Sequence, residues 1–322
     1  MKVLVTGAAG FIGHHVARRL AGTGNCEVLG VDSLAGDGEG GLKRPRLAAL
    51  EPLPGFRFIQ SDFAEAGAFA GIVAHFRPDY VVHLGAQTGV RGSLEDPAPY
   101  VRSNLDGFAS VLEACRRTPP RHLVYASSSS VYGSGARAPF REDDDTAQPV
   151  SFYGATKKCN EVMAQSYARS HGLAVTGLRF FTVYGPWGRP DMAPTLFASA
   201  ISAGKPIRLF NHGKNRRDFT YVDDIVDGIV KVALYPVESG PAPRLFNLGN
   251  SHAVDTHHFV RLLESLLGRK AIVELLPPQP GEMLETCADL TKVKAAYGFS
   301  PKVPLEEGLS RFVEWYGTYY GK

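Results

Sequence analysis

The segment from Lys2 to Leu20 most narrowly limits what this chain can fold into. An apolar run of strand length, Lys2-Val3-Leu4-Val5-Thr6, leads without a spacer into Gly7-x-x-Gly10-x-x-Gly13, and the helical pattern Val16, Ala17, Leu20 follows. A strand, a glycine turn and a helix in that order make a phosphate-binding unit. Gly7 allows the tight turn, Gly10 lets the backbone approach a pyrophosphate, and Gly13 permits close packing of helix on strand. Phe11 and Ile12 sit inside the same cofactor-facing turn. A second strand, Glu27 to Val31, ends at Asp32, about 20 residues past the glycines, where a ribose-binding acid is expected. That carboxylate accepts from both ribose hydroxyls but repels a 2′-phosphate, and Ser33 rather than Arg follows it, so NAD is favoured over NADP. Lys43, Arg44 and Arg46 fall farther along a glycine-rich loop and are expected to be solvated charges.

Apolar runs of strand length then alternate with helical patterns. The strands are Phe56 to Ile59, Tyr80 to Leu84, His122 to Tyr125, Ala174 to Phe181 and Leu245 to Leu248; the helices are Ala68 to Phe76, Asn104 to Arg117, Tyr153 to Ser170 and Asp223 to Leu234. Such alternation specifies a parallel sheet with helices on both faces, an α/β chain of Rossmann-like, doubly wound form. From about Val183 the texture changes to a loop, Gly185-Pro186-Trp187-Gly188-Arg189-Pro190, followed by amphipathic helices over Asp255 to Leu267 and Leu305 to Tyr316. We expect a smaller C-terminal substrate-binding cap there. The expected division is a cofactor domain over residues 1–180, with 218–250 returning to it, and a cap over 181–217 and 251–322. Gly36 to Gly41 reads as loose.

Several function classes are disfavoured. A formal net charge of +3, with the basic residues spread along the chain, does not suggest nucleic acid. Cys26, Cys115, Cys159 and Cys287 form no Cys-x-x-Cys pair, so neither a zinc site nor a disulfide framework is indicated. Met1 leads straight into a strand, and no apolar stretch approaches the ~20 residues of a membrane span, so a cytoplasmic protein is expected. The adjacent pairs His14-His15 and His257-His258 point to different helix faces and make poor metal sites, so no metal is expected. His83, at a strand end, reads as a core residue.

The candidate chemistry lies at Ser151 to Lys158, just after the serine run Ser127 to Ser130. Tyr153 and Lys157 are four apart on an expected helix, which sets them side by side on one face. A phenol that must ionise near neutral pH, from an ordinary pKa near ~10, needs a fixed cation beside it. Tyr153 is therefore a candidate general base.

Taken together, Gly7, Gly10, Gly13, Asp32, the serines and Tyr153-x-x-x-Lys157 make the chain resemble the extended short-chain dehydrogenase/reductases, the superfamily of nucleotide-sugar epimerases and dehydratases. The segments Ala126 to Gly133, Leu178 to Ala193 and Arg217 to Asp224 look like the branch acting on UDP-glucuronate at C-4. Relatives acting on neutral hexoses usually carry Asn where this chain has Thr182. The resemblance implies that Tyr153 takes the C-4 hydroxyl proton while NAD receives the hydride, that Lys157 holds the nicotinamide ribose and depresses the tyrosine, and that Ser128 bridges Tyr153 and substrate. It implies cofactor contacts at Asp62, Phe63, Leu84, Ala86 and Asn104. Oxidising C-4 of the acid sugar makes a β-keto acid, and Ser129, Ser130 and Thr182 are candidates to hold its carboxylate in an unreactive orientation. Arg189 is a further charge partner for carboxylate or phosphate. Arg217 resembles a diphosphate ligand, with a forked guanidinium suited to the task, Arg216 reads as a solvated neighbour, and Asn211 lies where relatives hold uracil. Gln279-Pro280-Gly281-Glu282 departs from the Arg-Pro-Gly form of sister epimerases. Relatives pair as homodimers through the helices matching Asn104 to Arg117 and Tyr153 to Ser170. Rival readings are a neutral UDP-hexose epimerase, a UDP-glucuronate decarboxylase, and an NAD-sensing module without turnover.

Overall fold

A computed structural model describes residues 1–36, 41–133, 135–235, 244–278 and 283–321. Residues 279–282, and most of the stretch between Gly36 and Gly41, therefore lie outside the described residues. The strands are β1 (Lys2–Thr6), β2 (Glu27–Asp32), β3 (Phe56–Gln60), β4 (Tyr80–His83), β5 (His122–Ser128), β6 (Val175–Phe180), β7 (Thr182–Tyr184), β8 (Pro206–Leu209), β9 (Arg216–Tyr221), β10 (Arg244–Leu248), β11 (Ala253–Asp255) and β12 (Ile272–Leu275). Seven form one sheet in the order β10-β6-β5-β4-β1-β2-β3. Every pairing in it is parallel. The order reverses between β1 and β4, and at such a switch point the strand ends leave a crevice open to ligands.

Side-chain alternation along β1 explains why helices cover both faces. Val3 and Val5 join one buried cluster with Val16 and Leu20 of helix α1 (Phe11–Gly22). Leu4 points the other way, into a second cluster with Phe69 and Val73 of an opposing helix. After α1 come α2 (Lys43–Leu50), α3 (Ala66–Phe76), the short α4 (Val90–Glu95) and α5 (Ala98–Tyr100), α6 (Gly107–Arg117) and α7 (Phe152–His171). They are followed by α8 (Ala193–Ala203), α9 (Val222–Leu234), α10 (Thr256–Leu267), α11 (Thr291–Tyr297) and α12 (Leu305–Tyr320).

One expectation needs correcting. Residues 43–50 are helix α2 rather than loop, with Arg46, Leu47 and Leu50 buried on one face. Pro45 is compatible because the first turn of a helix needs no donor from it. The neighbouring glycines hide this short apolar face from the eye.

Helix α7 starts where Ser151 Oγ accepts from Gly154 N at 3.0 Å and ends at Gly172, which adopts the left-handed φ of 66°. That cap fixes Tyr153 in the first turn and Lys157 one turn later. Ahead of α6, residues Val101–Asp106 form a π-helical segment, a wider turn that often marks functional ground.

The smaller layers stand over the carboxyl ends of the large sheet. β7 pairs parallel with β9, β9 antiparallel with β11, and β8 parallel with β12. Asp218, fully buried on β9, gathers the cap. Its carboxylate accepts from Asn250 N at 2.6 Å, Ser251 N at 2.9 Å and Ala288 N at 2.9 Å. Burial raises its pKa against the pull of those donors.

Candidate active site

A cleft of about 1640 Å³ opens between the sheet's carboxyl edge and the cap. Its floor is the glycine turn. Gly7 has φ 69°, and a Cβ there would meet Gly85 N at 2.7 Å; a Cβ at Gly13 would lie 2.0 Å from Gly7 O. Both sites therefore exclude any side chain. No side chain caps α1, so the amino end behind Gly10, Phe11 and Ile12, all lining the cleft, offers its N–H groups to an anion. This cradle fits the pyrophosphate of a dinucleotide.

Asp32 ends β2 in the same cleft. Its carboxylate accepts from Ala9 N at 3.2 Å and Leu34 N at 2.9 Å and pairs with Lys43 Nζ at 3.0 Å. Lys43 and Arg46 are thus not solvated charges: one is ion-paired and the other is buried, because α2 packs against α1. Arg44 is exposed. Asp62 closes a turn on Ala64 N, pairs with Arg102 at 2.8 Å, and lines the cleft beside Phe63. Leu84 and Ala86 line it as well. Asn104 does not. It sits in the π-helical segment behind the wall, where its side chain exchanges hydrogen bonds with the Gln87 backbone and donates to Thr156 Oγ1 at 2.9 Å. Its structural contacts are those of a residue that shapes the wall. His83 is a core residue: its Nδ1 lies 2.7 Å from Thr6 Oγ1, and burial lowers its pKa to about 3.

Tyr153, Lys157 and Ser128 converge on the cleft. Ser128 ends β5 and its Oγ accepts from Ser130 N at 3.1 Å. Lys157 is buried and Nζ donates to Ala126 O at 2.9 Å; burial lowers its pKa to about 8. For Tyr153, burial raises the phenol above its ordinary 10, while a Ser128 hydrogen bond and the Arg189 charge pull it back. In the free protein burial therefore outweighs the groups that favour ionisation. Lys157 Nζ donates to the Ala126 carbonyl there, a hydrogen bond that leaves its charge in place. Backbone support comes from Ser93, whose Oγ accepts from Tyr153 N at 3.0 Å.

On the cap side, Ser129, Ser130, Thr182, Arg189 and Arg217 line the cleft. Arg189 Nε donates to Asp191 at 3.0 Å, Nη2 meets the second carboxylate oxygen, and Nη1 meets Thr88 Oγ1. It is therefore a paired charge held inside the cleft rather than a loose loop arginine. Arg217 Nη1 donates to Leu284 O at 3.2 Å, whereas its neighbour Arg216 pairs with Glu285 at 2.9 Å. Asn211 takes the left-handed φ of 51° and donates to Asn215 Oδ1 at 3.0 Å. Asn215, not Asn211, lines the cleft.

Two features escaped sequence reasoning. Arg91 of α4 stacks over the Phe210 ring at 4.6 Å, joining the two sides of the cleft. Behind Ser128, Arg179 of β6 and Glu161 of α7 form a fully buried pair at 2.8 Å, and Ser127 Oγ donates to Glu161 at 2.7 Å. An arginine inside an apolar strand was the available signal, because a buried cation requires a partner. Among the described residues, no cluster of His, Cys, Asp or Glu could hold a metal.

Comparison with known proteins agrees with this geometry. An uncharacterized 37.6 kDa protein of Escherichia coli O111:H- is 45% identical, with 99% of each chain covered. A probable UDP-glucuronate 4-epimerase of Rhizobium meliloti is 42% identical over 99% of this chain and 98% of its own. The crystal structure of a Bacillus cereus UDP-glucuronic acid 4-epimerase with UDP-glucuronic acid and NAD superposes with a TM-score of 0.92 at 34% identity, covering 99% of this chain and 100% of that one. Residues 3–249 match the NAD dependent epimerase/dehydratase family as a whole. With a glycine cradle, an acid at the end of β2 and a Tyr-Lys-Ser group at the switch point, this chain belongs to the NAD dependent epimerase/dehydratase family.

Proposed function

We propose that the chain is an NAD-dependent epimerase that interconverts UDP-glucuronate and UDP-galacturonate at C-4. The observation that carries the reading is the meeting of Tyr153 and Ser128 with Thr182, Ser129 and Ser130 across one cleft. In this reading residues 1–180, with 218–250, hold the cofactor through Gly7, Gly10, Phe11, Ile12, Gly13, Asp32, Asp62, Phe63, Leu84 and Ala86. The segments 181–217 and 251–322 hold the nucleotide sugar, with Arg217 on the diphosphate.

Bound NAD supplies the hydride acceptor, the later donor and a positive charge in the cleft. Tyr153 is a phenol in the free protein because burial opposes its ionisation. Once the phenol is ionised, its own proton released to solvent, its Oη takes the proton of the C-4 hydroxyl, and Ser128 holds that oxygen in reach. Lys157, which still carries its charge below pH 8, favours the phenolate and would hold the nicotinamide ribose. Once C-4 is a ketone, the sugar must turn over while keeping its carboxylate. Short hydroxyls at Thr182, Ser129 and Ser130 hold that group by hydrogen bonds, while Arg189 is already balanced by Asp191. A homodimer forms through α6 and α7, where Val162 is 54% exposed. Among the described residues no helix is long and apolar enough to cross a membrane. We place the enzyme in the reducing cytoplasm, where its four cysteines stay thiols.

Proton NMR of the protein with UDP-glucuronate and no added reductant tests the reading. A mixture of the two C-4 epimers is expected, and in D₂O the product should carry no deuterium at C-4. Release of CO₂ with a UDP-pentose identifies a decarboxylase instead, and an unchanged substrate identifies a sensor.

A further inference from the structure

Arg46 fastens the cofactor turn itself to the Arg189 loop. Arg46, only 4% exposed, extends its guanidinium from α2 between them. Nη1 donates to Ala9 O at 3.2 Å, inside the glycine turn. Nε and Nη2 both donate to Trp187 O, at 3.1 and 2.7 Å, inside the loop that leads to Arg189. A planar fork is the side chain suited to gripping two backbones at once.

Each end of this link is itself fixed. Ala9 N donates to Asp32 at 3.2 Å, so the turn is tied to the ribose-binding acid. Trp187 takes the strained left-handed φ of 61°, and its ring packs on Trp315 and Tyr319 of α12 at 5.5 and 5.1 Å. His15 Nε2 lies 2.9 Å from Pro186 O and His14 Nδ1 3.0 Å from Arg46 O. Burial lowers these imidazoles to about 3 for His14 and about 4 for His15, so they meet the guanidinium as neutral rings.

We propose that Arg46 is a positioning residue that couples occupation of the dinucleotide turn to the ordering of the Gly185–Met192 loop, and so readies Arg189 only when cofactor is bound. Cofactor binding steadies the turn, the fork transmits that steadiness to Trp187, and Arg189 follows two residues on. The inference rests on the reading that the turn holds NAD and the loop meets the sugar, yet its test needs no substrate.

Amide hydrogen exchange is followed in stripped protein with and without saturating NAD. In the wild type, NAD should slow exchange in both 7–13 and 185–192, the loop by about tenfold. In Arg46→Met the turn should stay protected while the loop loses its response. Arg46→Lys, which keeps the charge but cannot grip both carbonyls, should show a response at least about threefold smaller than wild type, and it decides the matter if the Met variant does not fold. A merely structural role would lower the melting temperature without uncoupling the loop from NAD. Equal loop protection in wild type and variant, or a wild-type loop that ignores NAD, overturns the proposal. Protection without epimerisation would instead sink the substrate assignment and leave this coupling standing.

Discussion

The floor of the cleft and its roof are built from different materials. The floor is backbone: three glycines, an uncapped helix end and the edge of a parallel sheet, fixed by spacing over a few residues. The roof is side chain: Thr182, Arg189, Asn215 and Arg217 come from separate segments, and Arg189 and Arg217 reach partners as distant in sequence as Thr88 and Leu284. Backbone sites tolerate little variation because a single Cβ closes them, whereas side-chain sites can be re-specified one residue at a time.

The sharpest test of the floor's chemistry is Tyr153→Phe. Loss of the base should cut turnover between about a hundredfold and ten-thousandfold, with NAD still bound. Near-wild-type rates would move the base elsewhere. Behind the floor, Glu161→Ala leaves Arg179 buried without its carboxylate and should cost about 3–5 kcal/mol in denaturant unfolding. The double variant Glu161→Leu with Arg179→Met should recover most of that loss. If the single variant is as stable as wild type, the pair does not hold α7 on the sheet.

Acid should separate the two regions. His14, His15, His83 and His122 all lie in the cofactor half, and burial lowers each from the ordinary 6.5 to about 3 or about 4. The unfolded chain therefore binds protons first as pH falls below 6.5, and stability drops through the window from 6.5 to about 4 by up to about 1.4 kcal/mol per pH unit for each histidine. Melting temperature should fall steeply between pH 6.5 and 4.5, with the cofactor half opening first by hydrogen exchange. A flat profile would mean that these rings are solvated. The smallest effect is expected at the roof. Thr182→Val should weaken binding of the acid sugar about fivefold, roughly the worth of one hydrogen bond, or release measurable CO₂. If neither changes, Thr182 does not touch the carboxylate.

How much could be read from the chain follows the same divide. Strand–glycine–helix order, Asp32 and the parallel alternation are local patterns, and the seven-stranded sheet follows them closely. Helix α2 was hidden because its apolar face is only Leu47 and Leu50 after a glycine run. Asn104 reads as a cofactor contact from its place in the chain, but in the π-helical segment ahead of α6 its side chain is turned to Gln87 and Thr156. The state of Tyr153 was out of reach for another reason. Four-residue spacing puts Lys157 on its face, but only three dimensions reveal the burial that opposes ionisation of the phenol. Likewise Arg46 bridges residues 37 and 141 positions away, a distance over which no periodicity speaks.

Asp218 imposes an order on synthesis. Its carboxylate, already made when β9 emerges, finds its last backbone donor only at Ala288. A nascent chain that has completed all seven strands of the large sheet soon gives this acid Asn250 and Ser251, yet the segment around Ala288 is still untied from β9. Ribosome-bound intermediates short of residue 288 should therefore hold dinucleotide before they can seat a sugar.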